Sequence, residues 1–405
     1  MIASLPLAGL TVVAFEQAVA APLCTRHLAD LGARVIKVEH PSGGDFTRSY
    51  DTAVHGLSSY FVWLNRNKES IAIDAKKPGG AEVIERLVAR ADVVVQNLAP
   101  GAAARLNVAA AQVAAVNPRA VAVDISGYGT GGPHDHKRAY DLLIQAEGGV
   151  CSITGTEGHP AKAGPPLADL GAAMHAVSAI LAALLHRERT GRGTVVEVAM
   201  FDVIADWMGF ALQYTRHTGT QREPNGMSTP MVAPYGAFRT ADGQTVVLGT
   251  TNDAEWQRLA RDLIGRPDLA EDPRLASNEA RCAHRDEIDA AIARWTAARD
   301  LALIQDLADA AGIGNARYNT VSEVLAHPQL AERGRWRPVD SPAGPVEVLL
   351  PPVVSPGWAP RLDPVPALGS HTRRVLAELG YSPEEVEELA ASSARMPSQI
   401  DRSLP

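Results

Sequence analysis

The sequence predicts an α/β protein with a Rossmann-like large domain, built on a parallel sheet, and a smaller α+β domain. Short apolar, β-rich runs alternate with helical runs over residues 10–126, which is typical of βαβ units with helices on both faces of a parallel sheet. A hairpin signal and a series of amphipathic helices follow from residue 226. A stretch rich in Pro and Gly, residues 337–369, then leads to a last pair of helices.

The strands predicted for the parallel sheet are short runs rich in Val, Ile and Ala. They are LTVVAF (10–15), RVIKVE (34–39), SIAIDAK (70–76), DVVVQN (92–97), RAVAVDIS (119–126) and TVVEVAM (194–200). Helices are predicted between them, including CTRHLADLGA (24–33) and GGAEVIERLVARA (79–91). Ligands of such sheets bind at the carboxyl ends of the strands. Those ends carry Glu16-Gln17, Glu39-His40, Lys76-Lys77, Asn97-Leu98 and Gly127.

The second half of the chain has a different pattern. YGAFRTADGQTVVLGT (235–250) is two strand-like runs joined through a Gly-containing turn, which predicts a hairpin. Ser382 and Glu385 form a capping box for the last helix, with Pro383 at its first position. The predicted domains are therefore the N-terminal part of the large domain (1–225), the small domain (226–325), and a return segment with C-terminal helices that completes the large domain (326–405).

The composition is ordinary for a soluble globular protein. Of 405 residues, 46% are apolar and 21% charged, and the net charge of −8 with no long run of Lys or Arg argues against a nucleic-acid partner. The three Cys residues are scattered, which indicates a reducing compartment and argues against a disulfide framework or a zinc site. The apolar stretch 170–185 is expected to be too short and too mixed to span a membrane. We expect a cytoplasmic protein.

Most nucleotide, metal and hydrolase motifs do not fit. GYGTGG (127–132) satisfies G-x-G-x-x-G, but PHDHKR follows it where a dinucleotide site needs the start of a helix. It is better interpreted as a Gly-rich turn that lets the backbone approach a ligand. HDH (134–136) lacks a third ligand in register, so no metal site is predicted. Neither a nucleophile elbow nor H-E-x-x-H nor a P-loop is present.

PPLADLGAAMH (165–175) places one acid, Asp169, between a Pro-Pro stop and an apolar helical run. Asp is a preferred N-cap, so a helix starting at Asp169 is the simplest interpretation. A carboxylate held at a helix N-terminus also stays ionised, and an ionised carboxylate can attack an activated carbonyl. The local pattern alone favours the cap and leaves both interpretations open.

A set of blocks along the whole chain resembles the family III CoA-transferases. This group contains formyl-CoA transferase, carnitine CoA-transferase and α-methylacyl-CoA racemase. The blocks occur in the family's order and are ADLGARVIKVEHPSGGDFTR (29–48), LNRNKESIAIDAKKPGG (64–80), DVVVQNLAPGAAARL (92–106), ISGYGTGGP (125–133), YDLLIQAEGG (140–149), TGRGTVVEVAMFD (190–202) and LGSHTRRVLAELG (368–380). The resemblance implies a large Rossmann-like domain made from both chain ends, a small domain, and a homodimer of two interlocked chains.

The resemblance also implies the chemistry. Asp169 matches the transferase nucleophile, which attacks the thioester of an acyl-CoA to form a mixed anhydride and then an aspartyl-CoA thioester. Gln17 and Ala18 match the turn near the thioester, and the turn is one source of N–H donors for the developing oxyanion. Coenzyme A is then a substrate, and no permanently bound cofactor is expected. The remaining positions matched to CoA contacts are His40, where relatives often have Arg, and Lys76, Asn97, Leu98, Arg105, Arg138 and Tyr140.

Transferase and racemase differ in the block Ala139-Tyr140-Asp141. Racemases use a His–Asp pair there, and Tyr140 stands in the place of the histidine. Tyr has a pKa near 10 and is a poor base at neutral pH. We therefore expect CoA transfer from an acyl-CoA to a small carboxylic acid, with a dicarboxylate as the expected acceptor. An α-methylacyl-CoA racemase-like isomerase is the alternative, followed by a non-catalytic acyl-CoA binder and a nucleotide-dependent oxidoreductase.

Overall fold

A computed structural model describes residues 5–394 of the chain. The chain divides into two compact units. The first comprises the chain up to residue 150, residues 162–220 and the chain from residue 334 onward. The second comprises residues 151–161 and 221–333, so it contains the segment predicted as the small domain together with a short excursion at 151–161.

The described chain contains the following strands and helices, in both units. In chain order the strands are β1 (Thr11–Phe15), β2 (Arg34–Glu39), β3 (Lys68–Ala72), β4 (Val93–Gln96), β5 (Val121–Ser126), β6 (Gly155–Thr156), β7 (His159–Pro160), β8 (Val195–Ala199), β9 (Tyr235–Arg239), β10 (Thr245–Gly249), β11 (Gly314–Arg317), β12 (Trp336–Val339) and β13 (Val346–Leu349). The helices are α1 (Ala20–Asp30), α2 (Ser59–Asn65), α3 (Pro78–Arg90), α4 (Ala102–Arg105), α5 (Ala110–Val116), α6 (Asp141–Glu147), α7 (Val150–Ile153), α8 (Leu167–Thr190), α9 (Met200–Trp207), α10 (Gly209–Thr218), α11 (Asp253–Arg258), α12 (Pro267–Glu271), α13 (Asn278–Ala283), α14 (Arg285–Thr296), α15 (Leu301–Ala310), α16 (Val321–Leu325), α17 (Pro328–Glu332), α18 (Thr372–Glu378) and α19 (Pro383–Ala394).

The predicted parallel sheet is confirmed. Six strands lie in the order β3-β2-β1-β4-β5-β8, and every neighbouring pair is parallel. The order reverses between β1 and β4, which makes the carboxyl ends of these two strands the usual place for a ligand in such a sheet. Five of the six strands lie within the predicted runs. β3 instead begins two residues earlier, at Lys68, and the chain leaves the sheet after Ala72.

Helix α8 differs from its prediction in start and in length. It begins at Leu167 rather than Asp169 and runs for 24 residues. By length and composition it could cross a membrane, which was not expected of this stretch, but half of its most apolar window is buried within the protein. It packs against α1, α6 and α9. Gly171 permits the contact with α9, because a Cβ there would lie 2.7 Å from Val203 and 2.9 Å from Trp207.

The second unit confirms the predicted hairpin. Strands β9 and β10 pair antiparallel, with Tyr235 opposite Gly249 and Arg239 opposite Thr245. The strand β11, which was not predicted, adds to the free side of β10. Helices α11, α12, α14 and α15 bury their apolar faces with this sheet around Trp256, which is fully inaccessible.

The return segment is more regular than predicted. Its first part forms the antiparallel hairpin β12–β13, and Val339, Val346 and Val348 pack with Phe61 and Val62 of α2 in one apolar cluster. The capping box of the last helix is confirmed. The Ser382 backbone N–H donates to Glu385 at 2.7 Å, and the Glu385 N–H donates to the Ser382 hydroxyl at 3.3 Å.

Arg66 connects helix α1 to the returning chain from an interior position. Its guanidinium donates hydrogen bonds of 2.8 and 2.7 Å to the Asp30 carboxylate, and one of 3.0 Å to the Leu349 carbonyl. Asn67 donates to Asp30 at 2.7 Å and to the Arg361 carbonyl at 3.0 Å. The Arg66 and Asp30 side chains are each 2% exposed, so the Arg66 charge depends on Asp30, which also lies 3.7 Å from Arg26.

We expect Asp30→Ala to lower the free energy of unfolding by about 3–5 kcal/mol, because the Arg66 guanidinium stays buried without its anion. Urea unfolding followed by circular dichroism measures the loss. The control is Glu387→Ala, which removes a similar two-bond contact with Arg373, at 2.7 and 3.0 Å, between exposed side chains. That loss should be below about 1 kcal/mol. Equal losses in the two variants would contradict the argument from burial.

Candidate active site

Asp169 lies in the first turn of α8. Pro166 occupies the N-cap position and makes no side-chain capping bond, so the prediction of Asp169 as the cap is wrong. Asp169 is the third residue of the helix, and its carboxylate forms no hydrogen bond or ion pair with any residue in the described range 5–394. Capping of the helix N-terminus therefore does not explain the presence of this acid.

The Asp169 carboxyl is partly buried and lies near a second acid. Desolvation, together with repulsion by the Asp141 carboxylate, raises the pKa of Asp169 to about 7. Burial outweighs the favourable effect of the helix terminus, so the acid is only partly ionised at neutral pH. This corrects the expectation that its position keeps it charged. A carboxyl with a raised pKa and no partner is typical of a functional site.

Asp141 holds the start of α8 in place. Its Oδ1 accepts a hydrogen bond of 2.9 Å from the backbone N–H of Ala168, the residue before Asp169. Its Oδ2 accepts one of 2.7 Å from the side chain of Gln145, which is fully buried. The Gln145 carbonyl oxygen in turn accepts from the Ala163 N–H at 2.9 Å. Helix α6 thus holds both ends of the segment 163–168 that leads into α8.

Gln17 and Ala18 form a turn directly after β1, beside the end of β4. The Asn97 side chain spans the turn: it accepts from the Gln17 N–H at 2.9 Å and donates to the Gln17 carbonyl at 2.8 Å. Ala18 has a φ of 61°, in the left-handed region that non-glycine residues seldom adopt. Its N–H donates to the Asp45 carboxylate at 3.2 Å.

The backbone of this turn cannot supply the N–H donors expected from it. The N–H groups of Gln17 and Ala18 are already engaged with Asn97 and Asp45. The side-chain amide of Gln17 is different, because no group in residues 5–394 forms a hydrogen bond with it and it is partly exposed. The donor that this turn offers is therefore the Gln17 side chain.

Of the other residues predicted to contact CoA, His40 and Leu98 follow the ends of β2 and β4, whereas β3 ends at Ala72 and not at Lys76 as predicted. His40 follows β2 and is exposed, and its ring nitrogen accepts from the Ser42 N–H at 3.1 Å. Leu98 is partly buried after β4, beside Asn97. Lys76, Arg105 and Arg138 are exposed, and the described part of the chain gives their side chains no ion pair. Exposed cations without an ion pair suit an anionic ligand.

An aromatic group near Asp169 was not anticipated from the sequence. Tyr50 lies 5.5 Å from Tyr60 between ring centroids, and Tyr60 lies 6.0 Å from Trp63. Desolvation and the nearby charges of Asp45 and Asp169 raise the pKa of Tyr50, so this phenol lies within electrostatic reach of both acids. Tyr140 is 57% exposed. The only sequence signal for Tyr50 was its place two residues after the GGDFTR block.

The Gly-rich loop after β5 is held by contacts between its side chains and Glu147 of helix α6. No helix begins until Asp141, so the loop does not open a helix as a dinucleotide-binding turn does. The Tyr128 hydroxyl donates to Glu147, and the Lys137 ammonium and the His134 ring lie 3.3 and 3.4 Å from the same carboxylate. The histidine that suggested a metal ligand thus contacts an acid of α6.

The chain is similar to several CoA-transferases over nearly its whole length. It is 34% identical over 399 residues to succinyl-CoA--D-citramalate CoA-transferase from Chloroflexus aurantiacus, covering 95% of this chain and 97% of that protein. It is 34% identical to succinate--glutarate CoA-transferase from Agrobacterium fabrum, covering 92% and 96% of the two chains. It is 31% identical to formyl-CoA:oxalate CoA-transferase from Escherichia coli O157:H7, covering 96% and 100%.

Solved structures agree with these relatives. A CAIB/BAIF family protein from Brucella suis superposes with a TM-score of 0.80 at 33% identity, covering 93% of this chain and 100% of the other. A hypothetical protein from Mycobacterium tuberculosis also gives a TM-score of 0.80, at 32% identity, covering 92% and 99%. The model of CoA-transferase family III matches residues 7–372. The chain therefore belongs to CoA-transferase family III and is an enzyme of that family.

Proposed function

We propose that the enzyme transfers CoA from an acyl-CoA thioester to a small dicarboxylic acid, with Asp169 as the nucleophile and Gln17 as a donor to the thioester oxygen. The observation that carries this proposal is the Asp169 carboxyl itself. It is partly buried, it has no partner within residues 5–394, and its pKa is raised to about 7. Such a carboxylate is more nucleophilic than a solvated one because less hydration must be removed before it attacks.

The reaction proceeds by acyl exchange on Asp169. A carboxylate oxygen of Asp169 attacks the thioester carbonyl carbon, the C–S bond breaks, and CoA thiolate leaves a mixed anhydride. The thiolate then attacks the Asp169 carbonyl carbon of the anhydride, which releases the donor acid as a carboxylate and leaves an aspartyl-CoA thioester. The acceptor carboxylate then attacks the aspartyl-CoA thioester and displaces CoA thiolate, which in turn attacks the acceptor carbonyl carbon of the resulting anhydride. This last attack forms the acceptor's CoA thioester and regenerates Asp169.

The strand ends supply the remaining contacts in this proposal. The free Gln17 amide donates to the oxygen that becomes negative during each attack. Ala18 lies near the thioester and the pantetheine, and Asn97 and Leu98 line the nucleotide end of CoA. Lys76, Arg105 and Arg138, which are exposed and form no ion pair with the described residues, hold the phosphates. His40 and Tyr140 are assigned to the nucleotide and acyl ends respectively, by their places after β2 and before α6.

The relatives support a dicarboxylate acceptor. Succinate, glutarate, D-citramalate and oxalate, which appear in the names of similar transferases, all carry two carboxylates. One carboxylate would react with Asp169 and the other would distinguish the acceptor from a monocarboxylic acid. A racemase-like isomerase lacks this support, because Tyr140 stands where a basic histidine would be needed. Exchange of the donor's α-hydrogen with deuterated solvent would reveal that activity, and we expect none.

We also propose that the enzyme acts in the cytoplasm as a homodimer. Several large apolar side chains on α8, α9 and α10 are exposed on the single chain, which is unusual for a monomer. They are Met174, Leu181, Leu185, Trp207, Phe210 and Leu212. A second copy of the chain would cover them. Light scattering after gel filtration should give twice the mass of one chain, and a stable monomer at micromolar concentration would rule the dimer out.

We expect Asp169→Asn to lower the turnover of succinyl-CoA with glutarate by at least about 1,000-fold, because an amide cannot form the anhydride. Mass spectrometry of the product CoA thioesters measures it. Hydroxylamine added during turnover should modify Asp169 in the wild type and no residue in the variant. The variant should also be at least as stable as the wild type at pH 8, since burial penalises only the charged form that Asn lacks. Turnover at wild-type speed would exclude Asp169 as nucleophile.

The raised pKa of Asp169 predicts the pH dependence. Attack requires the carboxylate, so kcat/KM for the acyl-CoA should fall as the pH is lowered through about 7. Asp141→Asn removes the neighbouring negative charge and should move this acidic limb to lower pH. Glu387→Ala, which removes an exposed carboxylate on α19, should leave the limb unchanged. An identical limb in all three proteins would show that another group controls it.

A further inference from the structure

The turn that carries Gln17 is held by side chains outside it. Ala18 keeps its left-handed conformation while its N–H bonds to Asp45. We propose that Asp45, supported by Lys37, is a positioning residue for CoA transfer, which holds Ala18 in this conformation and so directs the Gln17 side-chain amide toward the reacting thioester. The inference rests on the function proposed above, and it adds a residue that does not itself touch the substrate.

Ala18 would not adopt this conformation unaided. A left-handed φ brings the Cβ of a non-glycine residue close to its carbonyl oxygen, so the turn must be stabilised by its surroundings. Two surrounding groups do so. Asn97 binds both backbone polar groups of Gln17, and Asp45 accepts the N–H of Ala18. If the Ala18 backbone relaxed, the peptide between the two residues would rotate and the direction of the Gln17 side chain would change.

Asp45 is itself fixed on every polar atom. Its Oδ1 accepts from the Thr47 N–H at 3.0 Å as well as from Ala18, and its Oδ2 accepts from the Lys37 ammonium at 2.8 Å. Its own N–H donates to Glu39 at 3.0 Å. Asp45 is 1% exposed and Lys37 is fully buried. The carboxylate therefore cannot turn away from Ala18 without leaving a buried ammonium short of an anion.

Lys37 is itself held by a second buried acid, Glu16. Its ammonium also contacts the Glu16 carboxylate at 3.2 Å and the Glu16 carbonyl at 3.4 Å, directly before Gln17. Lys68 contacts the same carboxylate at 2.6 Å, and the Thr25 hydroxyl donates to its other oxygen at 2.5 Å. Two acids and two ammonium groups thus form a neutral buried cluster. Buried ion clusters contribute little to stability compared with apolar packing. This cluster instead forms hydrogen bonds with the backbone of the turn, at the Ala18 N–H and the Glu16 carbonyl.

The chain offers a matched control at the other end of β1. Asp92 also accepts a backbone N–H, from Thr11 at 2.9 Å, and also pairs with a buried cation, Arg187, at 3.1 Å. Asp45→Ala and Asp92→Ala therefore remove the same kind of contact at the carboxyl and amino ends of one strand. Asp45→Asn is the conservative variant, because its amide oxygen can still accept the Ala18 N–H while the charge opposite Lys37 is lost.

Three quantities are measured for each variant. They are kcat for transfer from succinyl-CoA to glutarate, the Kd of CoA by calorimetry, and the φ of Ala18 in a crystal structure. For Asp45→Ala we expect kcat to fall on the order of 100-fold, because the misplacement of one donor is costly, while the CoA Kd stays within about threefold. Asp45→Asn should recover most of this loss, and Asp92→Ala should change stability but not kcat. Ala18 should leave the left-handed region only in Asp45→Ala.

The outcomes separate this inference from the proposed function. A positive φ for Ala18 in Asp45→Ala, or a kcat equal to that of Asp92→Ala, would overturn the role of Asp45. A CoA Kd weakened as much as kcat/KM, with kcat unchanged, would overturn it too, because Asp45 would then serve binding. If the wild type transfers no CoA between any donor and acceptor, the proposed function fails, and the φ of Ala18 still decides whether Asp45 holds the turn. If Asp45→Ala does not fold, Asp45→Asn carries the test: a kcat unchanged from wild type with Ala18 relaxed would overturn the inference.

Discussion

The buried contact between the acids Glu16 and Asp45 and the lysines of the neighbouring strands β2 and β3 is the constraint on which the site depends. Glu16 follows β1, Lys37 lies on β2 and Lys68 on β3, and their side chains are completely inaccessible. Since water cannot solvate these charges, each must keep its partner within hydrogen-bonding distance. The turn after β1 is therefore fixed relative to β2 and β3.

The same desolvation has the opposite result at Asp169. The carboxylates of Glu16 and Asp45 are buried against ammonium groups, and the pKa of each is lowered. Asp169 is partly buried and repelled by a second acid, Asp141, and its pKa is raised. The charge beside a buried carboxyl group thus decides whether its pKa is lowered or raised. The paired acids are inert and fix the backbone, whereas the unpaired acid keeps its reactivity because nothing nearby neutralises it.

Much of the fold could be predicted because it depends on local patterns. Short Val-rich runs between helical runs gave the strands of the parallel sheet, and the alternation in 235–250 gave the hairpin β9–β10. Elements held by distant contacts were missed. The hairpin β12–β13 depends on packing against Phe61 and Val62, and β11 depends on the free side of β10. The start of α8 was misplaced because Asp169 has a cap's sequence context, but its side chain bonds to no backbone N–H.

The sequence by itself determined the order along the chain of the strands in the parallel sheet, the hairpin β9–β10 and the acid at the beginning of α8, because spacing and side-chain chemistry are written along the chain. Tertiary structure alone decided how that acid behaves. Asp141 is 28 residues away from it, Asp45 is 27 residues from Ala18, and Asn97 is 80 residues from Gln17. A pKa, a left-handed backbone and an unengaged amide depend on which distant groups meet, and only the folded chain brings those groups together.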